Sequence, residues 1–351
     1  MIIIGGAQFI QILTSIVRIK LVAVWLGPSG VGLLSIFRNL QEMGTKTGSL
    51  GLQNSGVRQL AAARGDEGTV SQVRRVLLLA LTTQGAIAMV AVWLLREPLA
   101  ALLLDDAGRA DEVGLIGVAI FFALLASART TLLQGLRRIG DLGKVTLLGA
   151  IGGTTAGGAA VWAQGMSGLV WFLIAQPLTM LFVALYYTRA FAAPARSPLG
   201  IHDILSTWQP MVKLGSIFML GALATIGTLL LVRGWLTQHL SLDAAGQFAA
   251  AWGISITYVG FLLGAMGKDY YPRLTEVIHD QEAANQMMND QMQLGLAIAG
   301  PVLLLMIGLA PLTIWILYSA DFDQASTLLQ WQSVGNIFKL ACWPLGFSFV
   351  A

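Results

Sequence analysis

Long apolar runs alternate with short polar connections along the whole chain. A helix that crosses a bilayer needs about 20 mainly apolar residues. On that rule the pattern predicts ten helical spans: Ile2–Leu26, Val31–Ser55, Val73–Leu95, Val113–Leu136, Leu142–Ala163, Leu169–Phe191, Pro210–Leu236, Gly246–Tyr270, Met292–Tyr318 and Leu328 to the end. Gly27-Pro28 predicts a tight turn between the first two. The second span is unlike the others, because it carries Arg38, Glu42 and Lys46 at a spacing of four. At roughly 100° per residue, Arg38, Gln41, Glu42, Thr45, Lys46, Ser49 and Gln53 share one helix face. Leu33, Leu40, Met43 and Leu50 share the opposite face, broken by Ser35 and Asn39. A charged stripe inside so apolar a chain predicts a membrane helix with one wet side.

Composition supports that setting. Of 351 residues, 56% are hydrophobic and 11% charged, and the mean hydropathy is +0.73. Soluble domains are typically about a quarter charged, so the chain reads as an all-α polytopic membrane protein. The 40 glycines fit close packing between membrane helices. Cys342 is the only cysteine, which excludes an internal disulfide framework. The first apolar run is too long for a cleavable signal peptide. No long hydrophilic stretch could form a soluble catalytic module. Gly143-Lys144 does not complete a phosphate-binding loop, and no Ser elbow precedes a triad. His202, His239 and His279 stand apart from one another, so no metal or cofactor is expected. Nothing points to a nucleic acid.

Charge distribution predicts orientation. Arg58, Arg64, Arg74 and Arg75 follow the second span; Arg137, Arg138 and Lys144 the fourth; Arg189 and Arg196 the sixth; Lys268 and Arg273 the eighth. The alternate connections hold Asp105, Asp106, Asp111, Glu112, Asp243, Asp321 and Asp323, with Arg96, Arg109 and Arg233 the bases there. Lys and Arg favour the cytoplasm, so the N-terminus is expected inside. The polar stretch Ala192–Trp208, with Pro194, Pro198, His202 and Asp203, predicts a linker over 192–209 between two lobes, 1–191 and 210–351. The start of the second span, Leu26 to Gly32, is echoed by Leu242 to Gly246, and such repeats are common in transporters. The chain stops at Phe349-Val350-Ala351, still apolar, which predicts a C-terminal truncation that lacks a helix pair. The start, Met1-Ile2-Ile3-Ile4, lacks a polar lead-in.

Candidate chemistry centres on the first two spans. Gln8, Gln11, Ser15 and Arg18 form one stripe, with Lys20 on the other side. Arg18 lies about 12 Å below Leu26 at 1.5 Å per residue, and Arg38 lies at a similar depth below Val31. A charge at mid-membrane costs at least about 2.5–3.5 kcal/mol, so such residues face a cavity or a partner. Two readings stay open. Glu42 could pair internally with Arg38 or Lys46. Alternatively Arg18, Arg38 and Lys46, three bases against one acid, line a cationic cavity for a phosphate or diphosphate. Lys20, Lys213 and Arg233 are expected to snorkel, and Arg96, Arg109 and Arg129 to be interfacial or structural. Gln247, Ser255, Tyr258 and the mid-span Lys339, with Asn336 and Gln332 on its face, could complete the cavity from the second lobe.

Five stretches then resemble Wzx-type lipid-linked oligosaccharide flippases. They are Leu26-Gly27-Pro28-Ser29-Gly30-Val31-Gly32, Phe37-Arg38-Asn39-Leu40, Gln72-Val73-Arg74-Arg75-Val76, Gln134-Gly135-Leu136-Arg137, and Trp331 to Lys339. The branch they most resemble is the enterobacterial common antigen flippases. The resemblance implies the multidrug/oligosaccharidyl-lipid/polysaccharide (MOP, MATE-like) two-lobe helical bundle and about twelve helices. It implies transport of an undecaprenyl-diphosphate-linked oligosaccharide, such as an O-antigen or enterobacterial common antigen unit, across the bacterial inner membrane by alternating access. It also implies a glycan polymerase and a chain-length regulator as partners, alongside membrane lipid, and no enzymatic activity. Arg18, Arg38, Glu42, Lys46, Gln11 and Lys339 would line the substrate cavity. A cation-coupled drug exporter of the same superfamily, or a membrane glycan polymerase or ligase, are the alternatives. The first would want buried acids, and the second a large outer loop where Arg96–Glu112 is short.

Overall fold

A computed structural model of the chain describes residues 2–189 and 200–349, with the side chains of 2–12, 201–203, 217, 218, 261, 265, 268, 271 and 347–349 outside the description. All regular structure among the described residues is helical. The elements are α1 (Ile2–Ser49), α2 (Leu52–Ala62), α3 (Glu67–Leu94), α4 (Arg96–Leu104), α5 (Ala110–Gly135), α6 (Ile139–Gln164), α7 (Gly168–Thr188), α8 (Ile201–His239), α9 (Leu242–Val277), α10 (Gln281–Gly308), α11 (Ala310–Leu317) and α12 (Asp323–Cys342). Seven helical stretches among the described residues are long and apolar enough to cross a bilayer. Ile87, Leu94 and Trp162 are 68, 74 and 78% exposed, which suits a protein whose solvent there is lipid. The chain divides into two compact units, residues 1–245 and 246–351.

Two of the seven stretches are double. In Ile139–Thr188 the chain reverses at Gly165, where φ is +62°. A methyl group on Gly149, Gly153 or Gly157 of α6 would lie 2.9 Å from Met180 Cβ, 2.5 Å from Gln176 Cα or 2.8 Å from Phe172 Cα. Positions ascending by four on α6 meet positions descending by four on α7, so the two helices run antiparallel with backbones in direct contact. Lipid tails supply no hydrophobic drive between helices, so this close approach carries the association.

The other double stretch is α1. Gly27 has φ 63° and ψ −163°, a region open almost only to glycine, and Pro28 begins the second arm. A methyl on Gly30 would lie 2.2 Å from Leu26 Cβ, whereas a helix separates such positions by about 5–6 Å. The expected turn is therefore a reversal, and the two arms return alongside each other. The second arm is closely packed over its first half, where all but Ser35 and Arg38 of residues 30–40 are buried. Gly44 and Gly48 meet Ile120 and Leu124 of α5, a constant offset that makes these helices parallel. Gly114 and Gly117 of α5 meet Trp93 and Met89 of α3, and Gly85 meets Phe121, so α3 and α5 are antiparallel. Helix α5 is thus the central post of the first unit, with Ile116, Ile120, Leu124 and Leu133 fully enclosed.

Two predicted spans end early. The second was expected to reach Ser55, but its helix stops at Ser49. Leu50 and Gly51 take positive φ (45° and 71°), and α2 starts at Leu52. Gly215 of α8 lies against this break: a methyl on Gly51 would fall 2.2 Å from its carbonyl oxygen. Gln53 therefore leaves the charged face. The run Met292–Tyr318 splits into α10 and α11 at Leu309, with Pro311 in the first turn of α11.

Helix α8, placed in the second lobe by the linker at 192–209, packs with the first unit through α1, α2 and α4. Residues 192–199 of that linker lie outside the described residues. In the second unit Val259, Leu263, Ala299, Leu303 and Leu340 bring α9, α10 and α12 into one core. Asn336 is buried and donates to Ser255 Oγ (2.8 Å) and Tyr258 Oη (3.1 Å).

Leucine at Gly153 will force α6 and α7 apart and cost at least about 1–3 kcal/mol. Alanine at Gly152, whose nearest neighbour is Thr179 Cγ2 at 3.4 Å, will be tolerated. Thermal unfolding in detergent distinguishes the two. Gly27→Ala will cost about 1–3 kcal/mol through backbone strain alone, since nothing lies within 4 Å of an added methyl.

Candidate functional site

The reversal at Gly27 decides where two arginines meet. In a straight helix Arg18 and Arg38 would stand about 30 Å apart. Folded about the Leu26–Gly30 contact, they come to one level. Arg18 donates through Nη1 to Gln176 Oε1 of α7. Its Cζ lies 4.4 Å from the centroid of the Phe172 ring. Gln176 is as far along α7 from Gly168 as Arg18 is from Leu26, so both lie about 12 Å from that end of the bundle.

Arg38 keeps one acid partner. Its Nε donates to Glu42 Oε1 at 3.1 Å, and the two side chains are 54 and 44% exposed. The opposite side of this stretch is enclosed, with Leu33, Ile36, Phe37 and Leu40 buried. Exposure on such a helix means a water-accessible lumen or groove, because a bare ion pair is not stable against hydrocarbon. Lys46, one turn below Glu42, is also exposed. Gln41, Glu42 and Thr45 are partly exposed, while Ser49 is buried and donates to Lys46 O at 3.0 Å. The charged face is therefore real but ends one turn above the break at Leu50.

The internal ion pair and the cationic stripe coexist. Arg18, Arg38 and Lys46 carry three positive charges against the single carboxylate of Glu42, so the Arg38–Glu42 pair leaves the stripe positive. The Gln11 side chain falls outside the described residues. Lys339 belongs to the second unit, exposed on α12, one turn beyond the buried Asn336. In that unit Gln247 donates to Asp321 O (2.8 Å) and accepts from Ala325 N (2.9 Å), which ties the start of α12 to α9. Ser255 and Tyr258 are engaged by Asn336, so these residues have structural work.

Of the other cations, Arg233 departs from expectation, whereas Arg96 and Arg109 take structural roles. Arg233 is 7% exposed and donates to Ser35 O of α1 at 3.2 Å, so it does not snorkel. Its guanidinium is anchored to a helix carbonyl on the second arm. Arg96 pairs with Asp111 (3.5 Å) and lies over Trp93 (4.6 Å), and Arg109 pairs with Asp106 and Glu112 (3.3 Å each). Ser216, Thr225 and Thr228 bond to carbonyls three or four residues back in α8. Gln176 and Phe172 were not anticipated from the sequence. A depth count would have flagged Gln176, a polar residue before Pro177 inside an apolar run at the level of Arg18.

Residues 21–327 match the family described as polysaccharide biosynthesis protein. The chain belongs to this family. It is 23% identical over 343 residues to the lipid III flippase of Escherichia coli (strain K12), covering 95% of this chain and 80% of that protein. The Shigella flexneri lipid III flippase is similar to the same extent. Among solved structures, the fold is similar to an inward-facing multidrug resistance MATE family transporter of the MOP superfamily (TM-score 0.73, 16% identity, 96% of this chain and 79% of that one). An outward-facing MATE family transporter gives 0.54 at 16% identity, covering 99% and 78%. The likeness establishes the MATE-like, MOP-type helical fold. This member of the polysaccharide biosynthesis family is therefore an all-α multi-pass membrane protein.

Within that fold, Arg18 is held by α7 and Arg38 by its own helix, so the two guanidiniums are positioned independently. Gln176→Leu will remove the acceptor of a charged donor and destabilise the folded protein by about 1.5–3 kcal/mol. Gln176→Glu will not. The double variant Arg18→Met/Gln176→Leu will lose less than the sum of the single changes, as read by thermal unfolding in detergent.

Proposed function

We propose that this chain is a lipid-linked oligosaccharide flippase, moving a polyprenyl-diphosphate-linked glycan between leaflets, and that Arg18 and Arg38 seat the diphosphate. One observation carries the site: two guanidiniums at one depth inside an apolar helical bundle, with a single carboxylate between them and the next base. A guanidinium presents planar N–H donors that match phosphate oxygens, and a diphosphate supplies the negative charge the stripe lacks. Lys46 continues the charged face along the second arm, and Gln11 is a further candidate for the cavity wall. The membership in the polysaccharide biosynthesis family and the similarity to lipid III flippases support the reaction, which is transport rather than catalysis.

The finer reading follows the family. The glycan is an O-antigen or enterobacterial common antigen repeat unit on undecaprenyl diphosphate. The membrane is the bacterial inner membrane, and the clustering of Arg and Lys after even-numbered spans supports a cytoplasmic N-terminus. Two lobes, 1–191 and 210–351 about a linker at 192–209, exchange access by the general logic of transporters with a central site. A glycan polymerase and a chain-length regulator would take the product. A cation-coupled drug exporter shares the fold, but Glu42, the acid of the charged stripe, is already bonded to Arg38.

Vesicles containing the purified protein and a fluorescent lipid-linked glycan provide the test. Arg18→Ala and Arg38→Ala will each slow flipping by about 10- to 100-fold, the equivalent of one charge-assisted hydrogen bond of about 1.5–3 kcal/mol. Arg38→Lys will retain part of the rate, because a point charge replaces a two-pronged donor. Full activity in Arg18→Ala and Arg38→Ala would remove both from the diphosphate site.

A further inference from the structure

Glu42 stands between two bases on one helix face, Arg38 four residues before it and Lys46 four residues after. It bonds to Arg38. Lys46 is exposed, and among the described residues no acid pairs with it. Helix geometry alone favours the other choice. At i,i+4 a carboxylate placed N-terminal to its base is the better order, and Glu42–Lys46 has that order while Arg38–Glu42 has the reverse. What draws Glu42 the other way is Arg18. Gln176 and Phe172 hold its guanidinium, and the reversal at Gly27 brings it to the level of Arg38, so a second positive charge stands at that depth. Lys46 lies about 12 Å further along the axis than Arg38 and lacks that neighbour.

We infer that Glu42 is an exchangeable counter-ion: it occupies Arg38 while the site is empty and transfers to Lys46 when a diphosphate seats on Arg18 and Arg38. This inference rests on the proposed reading of the two arginines as the diphosphate seat. An arriving polyanion cancels the excess positive potential that held Glu42 to Arg38 and repels its carboxylate. Lys46 then becomes the preferred partner, within reach by a change of side-chain rotamer. No covalent bond or proton moves. The exchange has two effects. The empty carrier never leaves both arginines without an anion, which matters in a low-dielectric setting. The cargo must displace an internal competitor, which limits its affinity and so helps its release.

The test uses the full chain in lipid nanodiscs with farnesyl diphosphate as the probe, its Kd measured by calorimetry. Glu42→Gln and Glu42→Ala will both lower the Kd by about two- to fivefold, the span of an exposed ion pair. Lys46→Met will raise it by a similar factor, because the displaced carboxylate has nowhere to go. Lys46→Met will add nothing in the Glu42→Gln background, since Lys46 acts only through Glu42. Unchanged or weaker binding in both Glu42 variants overturns the exchange. So does an equal loss from Lys46→Met in the two backgrounds, which would put Lys46 on the diphosphate itself. Arg38→Ala separates this from the underlying reading: wild-type affinity there removes the diphosphate seat, whereas weakened binding there with unchanged Glu42 variants removes the exchange alone.

Discussion

The site depends on one backbone constraint, the reversal of α1 at Gly27-Pro28. A residue with a Cβ strongly resists φ 63°, ψ −163°, and proline then starts a new helix with no amide hydrogen left to satisfy. From that point the geometry is arithmetic. Two arms that leave one turn at the same rise per residue bring equally distant positions to equal depth. Arg18 and Arg38 become neighbours though twenty residues apart in sequence. Glycines then fix the neighbours of the hairpin, because α5 can reach the second arm only where Gly44 and Gly48 leave room. Small residues thus do in this bundle what apolar burial does in water.

Cations in a membrane need either a partner or water, and the first unit uses both solutions. Arg233 goes to a helix carbonyl, Arg96 and Arg109 to carboxylates and an aromatic face near α4. Arg18 is half-way between these cases: an amide oxygen and a phenyl ring hold its head, neither of which cancels its charge. Arg38, paired with Glu42, and Lys46 are exposed. The contrast separates charges that stabilise the bundle from charges that are free to meet a ligand. It is a contrast of partners, since the residue types are the same.

Much of the architecture was legible from hydropathy, because lipid imposes a length and a composition on every span. The reversals at Gly27 and between α6 and α7, the glycine-rich face of α6, and the charged stripe from Arg38 to Lys46 all follow from local pattern. The ends of spans did not. Nothing in the run through Leu50 and Gly51 marks a break until Gly215 of α8 is seen lying against it. Arg233 was expected to snorkel because its depth near a helix end is visible in sequence, whereas the carbonyl of Ser35 it reaches is 198 residues away.

By itself the sequence determined that the chain is a membrane-spanning helical protein, that a polar stripe with Arg18 and a charged stripe with Arg38 fall at similar counts from one turn, and that bases outnumber acids on them. Those facts depend on period, length and charge, all of which are local. Only the tertiary structure decided which charges are spoken for. The pairing of Glu42 with Arg38 in preference to Lys46, the seat of Arg18 on Gln176 and Phe172, and the burial of Arg233 each depend on a neighbour brought in by packing. Electrostatic energy falls with distance and rises as water is excluded. Both quantities belong to the folded chain, which is why the stripe could be read in advance and its partners could not.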